Sequence, residues 1–67
     1  MKIGIAIDDW KLPFFERHLA GAAFVFEKHR GVTADTFVLK IEAPNVDALT
    51  PVVRAANKEA REAGKPR

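Results

Sequence analysis

An α+β fold with the element order β-α-β-β-α is predicted by three observations. Apolar residues alternate with period two over residues 2–7 and 36–42. They recur at intervals of three and four over residues 12–22 and 46–60, and turn or capping residues separate these stretches.

In KIGIAI, Ile3, Ile5 and Ile7 fall on one side and Lys2, Gly4 and Ala6 on the other, the pattern of a half-buried strand. Asp8 and Asp9 end it, because aspartate is disfavoured in strands and favoured at turns and helix starts. Leu12, Phe15, Leu19 and Ala22 then form one helical stripe, with Pro13 in the first turn, where a missing amide proton costs little. Gly21 weakens the last turn, so this helix is expected to end near Ala22 or Ala23. Residues 24–28 (FVFEK) read as a second strand with Phe24 and Phe26 on one face. Residues 29–35 (HRGVTAD) form the connection, and Gly31 is its expected site of positive φ.

Residues 36–42 alternate cleanly, with Phe37, Leu39 and Ile41 inward and Thr36, Val38, Lys40 and Glu42 outward. Ala43-Pro44-Asn45 breaks this strand, and Asn45 suits a helix cap. Val46, Leu49, Val53, Ala56 and Ala60 make the second helical stripe, opposite Asp47, Arg54, Lys58 and Arg61. Pro51 either kinks one continuous helix or marks the first residue of a helix capped by Thr50; the unbroken stripe favours the continuous, kinked form. Gly64 ends it.

A right-handed crossover makes the first two strands parallel, and the second and third form a hairpin. With the third strand between the others, the result is a three-stranded mixed sheet of order 1-3-2 with both helices on one face. This is a ferredoxin-like split βαβ lacking its fourth strand. One domain over residues 1–64 and a flexible tail at 65–67 are expected. The absent strand would have paired with the first, whose residues carry Lys2 as their only guarding charge.

A chain of 67 residues and 7.4 kDa buries roughly 60% of its unfolded surface and sits at the lower limit of independent stability. The chain has no cysteine, which excludes disulfides and thiolate zinc sites. Self-association is the remaining way to extend the core. Hydrophobic residues at 48% and charged residues at 30% are ordinary for a globular domain. No apolar run approaches a bilayer span, and the apolar stretch near the N-terminus is too short for a signal-peptide core, so a soluble, cytoplasmic protein without membrane contact is expected. The net charge of +2 permits nucleic-acid contact without arguing for it.

Asp8 and Asp9 are the one arrangement that suggests catalysis, since paired acids at the carboxyl end of a strand can bind Mg²⁺. Phosphorylation receiver domains and ferredoxin-like CRISPR nucleases carry aspartates after their first strand, but both are longer and have strands absent here. The simpler role is to end the strand and favour the positive end of the next helix. His18 and His29 have no ligand spacing, serine and cysteine nucleophiles are absent, and the glycines at 4, 21, 31 and 64 stand alone. No cofactor or metal is implied.

Lys28, His29 and Arg30 are expected at a basic hairpin tip, and Arg54, Lys58 and Arg61 on a basic second helix; together they could straddle phosphates. Glu59 and Glu62 interleave with the helical set, as on an ordinary solvated face. Trp10 either caps the core or anchors a partner, with capping the simpler role, and Phe14 lies outside the helical stripe.

GVTADTFVLKIEA and NVDALTPVVRAANKEAR resemble segments of short uncharacterised bacterial and prophage-encoded proteins, in which a Gly-Val-Thr turn precedes a strand and an Asp-Ala-Leu-x-Pro helix closes the chain. The resemblance implies a bacterial or phage setting and carries no catalytic residue.

The expected function is that of a small non-enzymatic interaction module, homodimeric through Ile3, Gly4, Ile5 and Ala6 of the first strand or through the outer sheet face with Val25 and Val38. Another protein is a further possible partner. The alternative is a nucleic-acid-binding accessory protein using Lys28, Arg30, Arg54, Lys58 and Arg61. A metal-dependent nuclease using Asp8 or Asp9 is the remote one.

Overall fold

The computed structural model describes residues 1–64; the tail expected at 65–67 lies outside them. Three strands, β1 (Lys2–Asp8), β2 (Val25–Arg30) and β3 (Thr36–Glu42), and two helices, α1 (Leu12–Gly21) and α2 (Val46–Ala63), follow in the order β-α-β-β-α, with a 3₁₀ turn at Asp9–Lys11 before α1. The sheet order is β1-β3-β2, and both neighbouring pairs are antiparallel. The mixed strand directions therefore arise without any parallel ladder, because β1 and β2 are parallel but not adjacent.

Alternation along β3 puts Leu39 and Ile41 on the helix-covered face, where both are completely buried. Leu12, Phe15 and Leu19 of α1 and Leu49 and Ala56 of α2 close over them in one core cluster. Of the expected α1 stripe, Ala22 is the exception: it caps the helix and is exposed. Of the α2 stripe, Val46, the first residue of the helix, is exposed. Arg17 and His18 of α1 converge on Glu59 of α2, with His18 Nε2 3.5 Å from Glu59 Oε2 and Arg17 ion-paired to the same carboxylate. His18 is thereby an inter-helix contact.

Asn45 caps α2 as expected, its Oδ1 accepting from the Ala48 amide at 2.8 Å. The helix runs unbroken through Pro51. Proline removes the amide that would bond the Asp47 carbonyl, and both residues are exposed, so water can serve that carbonyl. Just before it, the Thr50 hydroxyl donates to the Val46 carbonyl at 3.0 Å.

Two expectations about the connections are corrected. β2 extends to Arg30, so His29 and Arg30 belong to the strand and the turn is confined to Gly31–Asp35. Pairing of Arg30 with Phe37 and of His29 with Val38 draws these polar residues into the ladder. Gly31 also lacks a positive φ. It is small because Thr36 packs against it: the Gly31 amide donates to the Thr36 carbonyl at 3.0 Å, and a Cβ there would lie 2.9 Å from the Thr36 carbonyl carbon.

Among the described residues other than glycine, the left-handed one is Ala23, at φ 62°. The Phe24 amide donates to the Leu19 carbonyl and the Ala23 amide to that of Ala20, both at 3.0 Å, which is a Schellman ending with alanine where glycine is usual. Left-handed backbone costs an L-residue about 1–2 kcal/mol. Ala23→Gly should therefore raise stability by about 1 kcal/mol. Gly31→Ala should lower it by about 1–3 kcal/mol through overpacking against Thr36. Urea unfolding of the two variants beside the natural chain checks both signs.

Candidate functional site at the open edge of β1

The sheet order leaves β1 and β2 as edges, and their residues differ. β2 carries Glu27, Lys28, His29 and Arg30 in succession, the charges that discourage strand addition. β1 carries charge only at its ends, Lys2 and Asp8, around Ile-Gly-Ile-Ala-Ile.

Which backbone groups β1 leaves open follows from its register. At the two ends of the β1–β3 pairing, the Ala43 amide donates to the Met1 carbonyl at 2.9 Å and the Asp9 amide to the Asp35 carbonyl at 2.8 Å. Bonded and non-bonded residues alternate in an antiparallel ladder. Ile3, Ile5 and Ile7 therefore bond to β3, while Lys2, Gly4 and Ala6 turn their N–H and C=O groups to the open side and Asp8 its N–H alone, its carbonyl serving the 3₁₀ turn that follows. All four of these residues are exposed.

Two depressions flank this edge on the helix side. One, of about 310 Å³, is lined by Ile3, Ile5, Val46, Leu49, Thr50, Val53 and Arg54. The other, of about 560 Å³, lies against residues Ile5 to Asp8 and is closed by Lys11, Phe15, Thr36, Val53 and Asn57. They share Ile5 and Val53, so a trough runs beside the whole strand with its midpoint at Ile5. Ile3 and Ile5 remain only half-buried because α2 covers them from above and not from the side.

The outer sheet face is a different surface. Its rows across β1, β3 and β2 are Lys2–Glu42–Val25, Gly4–Lys40–Glu27 and Ala6–Val38–His29. Charges of opposite sign alternate, and Lys2 Nζ reaches Glu27 at 3.2 Å. The Lys40–Glu27 row separates Val25, which is 72% exposed, from Val38, so of the apolar residues expected to form an interface there Val38 adjoins Ala6 and Val25 stands apart.

The expected phosphate-binding set is divided. Lys28 and Arg30 share the helix-side face of β2 with Phe26, and Lys28 Nζ lies 5.8 Å from the Phe37 ring centre. Arg54 lines the trough beside β1, at the opposite edge, and Arg61 stands near Trp10, Lys11 and Asn57. Arg54, Lys58 and Arg61 follow one another on an exposed face of α2. Trp10 is half-buried in that cleft, apart from the core cluster. Asp8 ends β1 on the outer face beside Thr36, and Asp9 opens the 3₁₀ turn. Among the described residues, no group of three or more His, Asp or Glu side chains converges in a way that could hold a metal ion, and no helix is long and apolar enough to cross a membrane.

Sequence reasoning marked β1 as the open edge, but it missed the contributions of Val53 and Arg54 to the trough. Helical periodicity assigns a residue to a face, not to the strand that this face overhangs.

The Lys2 ammonium beside Glu27 holds that carboxyl below its ordinary value, by hydrogen bond and charge, with a smaller effect from His29. A depressed carboxylate pKa stabilises the fold above the unfolded value, and the contribution is lost as pH falls through the folded value. In Lys2→Ala the Glu27 titration should move upward, and the stability gap from the natural chain should close in acid. Carboxyl-detected NMR titration with acid unfolding checks this. Comparison with protein-family models, with curated proteins and with solved structures finds no match to this chain.

Proposed function

We propose that the protein is a non-enzymatic interaction module that accepts a β-strand along the open edge of β1. One observation carries the reading: outward-facing backbone groups at Lys2, Gly4, Ala6 and Asp8 stand beside an apolar trough. Strand addition uses both features together, since main-chain bonds give affinity and pockets receive alternate side chains. An added strand would place every second side chain over Ile3, Ile5 and Val53, where the sheet is half-covered. The edge is favoured over the outer face because the latter presents alternating charges whose desolvation opposes docking. It is favoured over phosphate binding because the basic side chains are split between opposite edges of the sheet.

The test uses the peptide TFVLKIE, the sequence that already pairs with the other side of β1. Hydrogen exchange should slow at the Gly4 and Ala6 amides when the peptide binds or when the chain self-associates. Ala6→Pro removes an amide proton directed to the open side and none used by β3, so it should abolish binding while leaving the circular dichroism spectrum unchanged. Unprotected Gly4 and Ala6 amides under both conditions would overturn the reading.

A further inference from the structure

Resting on the edge-docking reading, the geometry points to a particular occupant: a second copy of this chain, its β1 antiparallel to the first across a two-fold axis at Ile5. Three features of β1 suit that centre, and the charges and the trough single it out among the symmetric registers.

The first is charge. About Ile5, Lys2 of one copy stands opposite Asp8 of the other at both ends of the pairing. Asp8 has no cation within ion-pair distance among the described residues. Lys2 already holds Glu27 at 3.2 Å, and an ammonium has further protons to donate. The second is backbone parity. A two-fold axis at Ile5 pairs Gly4 with Ala6, which exchange two bonds, and Lys2 with Asp8, whose outward N–H donates to the Lys2 carbonyl. The third is side-chain shape. Ile3 falls opposite Ile7 and Ile5 opposite itself, all on the helix side, where the trough reaches its midpoint at Ile5 and Val53.

Other symmetric registers keep the parity but lose the match. Centring on Gly4 sets Lys2 against Ala6, and centring on Ala6 sets Asp8 against Gly4; both shorten the ladder. The self-complementary register generates a six-stranded sheet with all four helices on one face, an isologous and closed assembly. Its two outer edges are then the charged β2 strands, which resist further growth.

Sedimentation velocity over a concentration series tests the inference. The natural chain should dimerise, and Lys2→Asp and Asp8→Lys should each raise the dimer dissociation constant roughly tenfold by placing like charges at both ends. Lys2 and Asp8 are exposed, and Asp8 makes no side-chain cap bond, so both variants should fold. Mixing the two variants, or combining both substitutions in one chain, should restore affinity. Single variants that dimerise like the natural chain, or a mixture no tighter than its components, would overturn the register. A chain monomeric at every concentration, with TFVLKIE still protecting Gly4 and Ala6, would overturn the self-pairing and leave the edge reading standing. A dimer with those amides unprotected would overturn both.

Discussion

The double pairing of β3 is the constraint on which the rest of the molecule depends. Its backbone bonds to β1 on one side and β2 on the other, and Leu39 and Ile41 beneath it are fully buried. Residues of both helices join Leu39 and Ile41 of its inner face in one core cluster. A central strand in a three-stranded sheet necessarily leaves two others half-bonded. The chemistry of the surface then turns on how those two edges are finished.

They are finished differently. β2 ends in the exposed run Glu27–Arg30, with Lys28 Nζ 5.8 Å from the Phe37 ring centre. β1 keeps its charge for its two ends and lines its length with isoleucine and small residues. α2 overhangs β1 without sealing its flank, because the exposed first turn and the half-buried Val53 leave apolar surface between helix and strand. In a chain of 67 residues, an unsealed flank is a sizeable part of the surface. The alternating charges of the outer face work the other way: Lys2 pairs with Glu27, the N-terminal ammonium lies 3.9 Å from Glu42, and Lys40 stands between the two carboxylates in the register.

Local conformation shows where packing overrides residue preference. Alanine adopts the left-handed ending of α1, while the glycine of the hairpin is retained for closeness to Thr36. The Schellman bonds and the packing of Phe24 against the core hold the Ala23 backbone in place. Around Thr33 and Thr36, hydroxyl and carbonyl groups bond among themselves and tighten the turn, with the Thr36 hydroxyl 3.1 Å from the Thr33 carbonyl. Neither feature follows from a propensity scale.

Periodicity and capping by themselves determined the element order, the bounds of β3 and the Asn45 cap, because these depend on which residues share a face and which can cap a helix; the sheet order 1-3-2, which the structure bears out, needed in addition a right-handed crossover and a central third strand. They also determined that β1 is the weakly guarded edge, since charge along a strand is read directly from its residues. Tertiary structure alone decided that β2 extends through His29 and Arg30, because a ladder partner stabilises residues that look like a turn in isolation. It separated Val25 from Val38 and Lys28 from Arg54, because register and layer position are long-range properties. It also brought Val53 beside Ile5 to make the trough, a meeting of helix and strand that no local pattern encodes, since it depends on how far α2 overhangs the edge of the sheet.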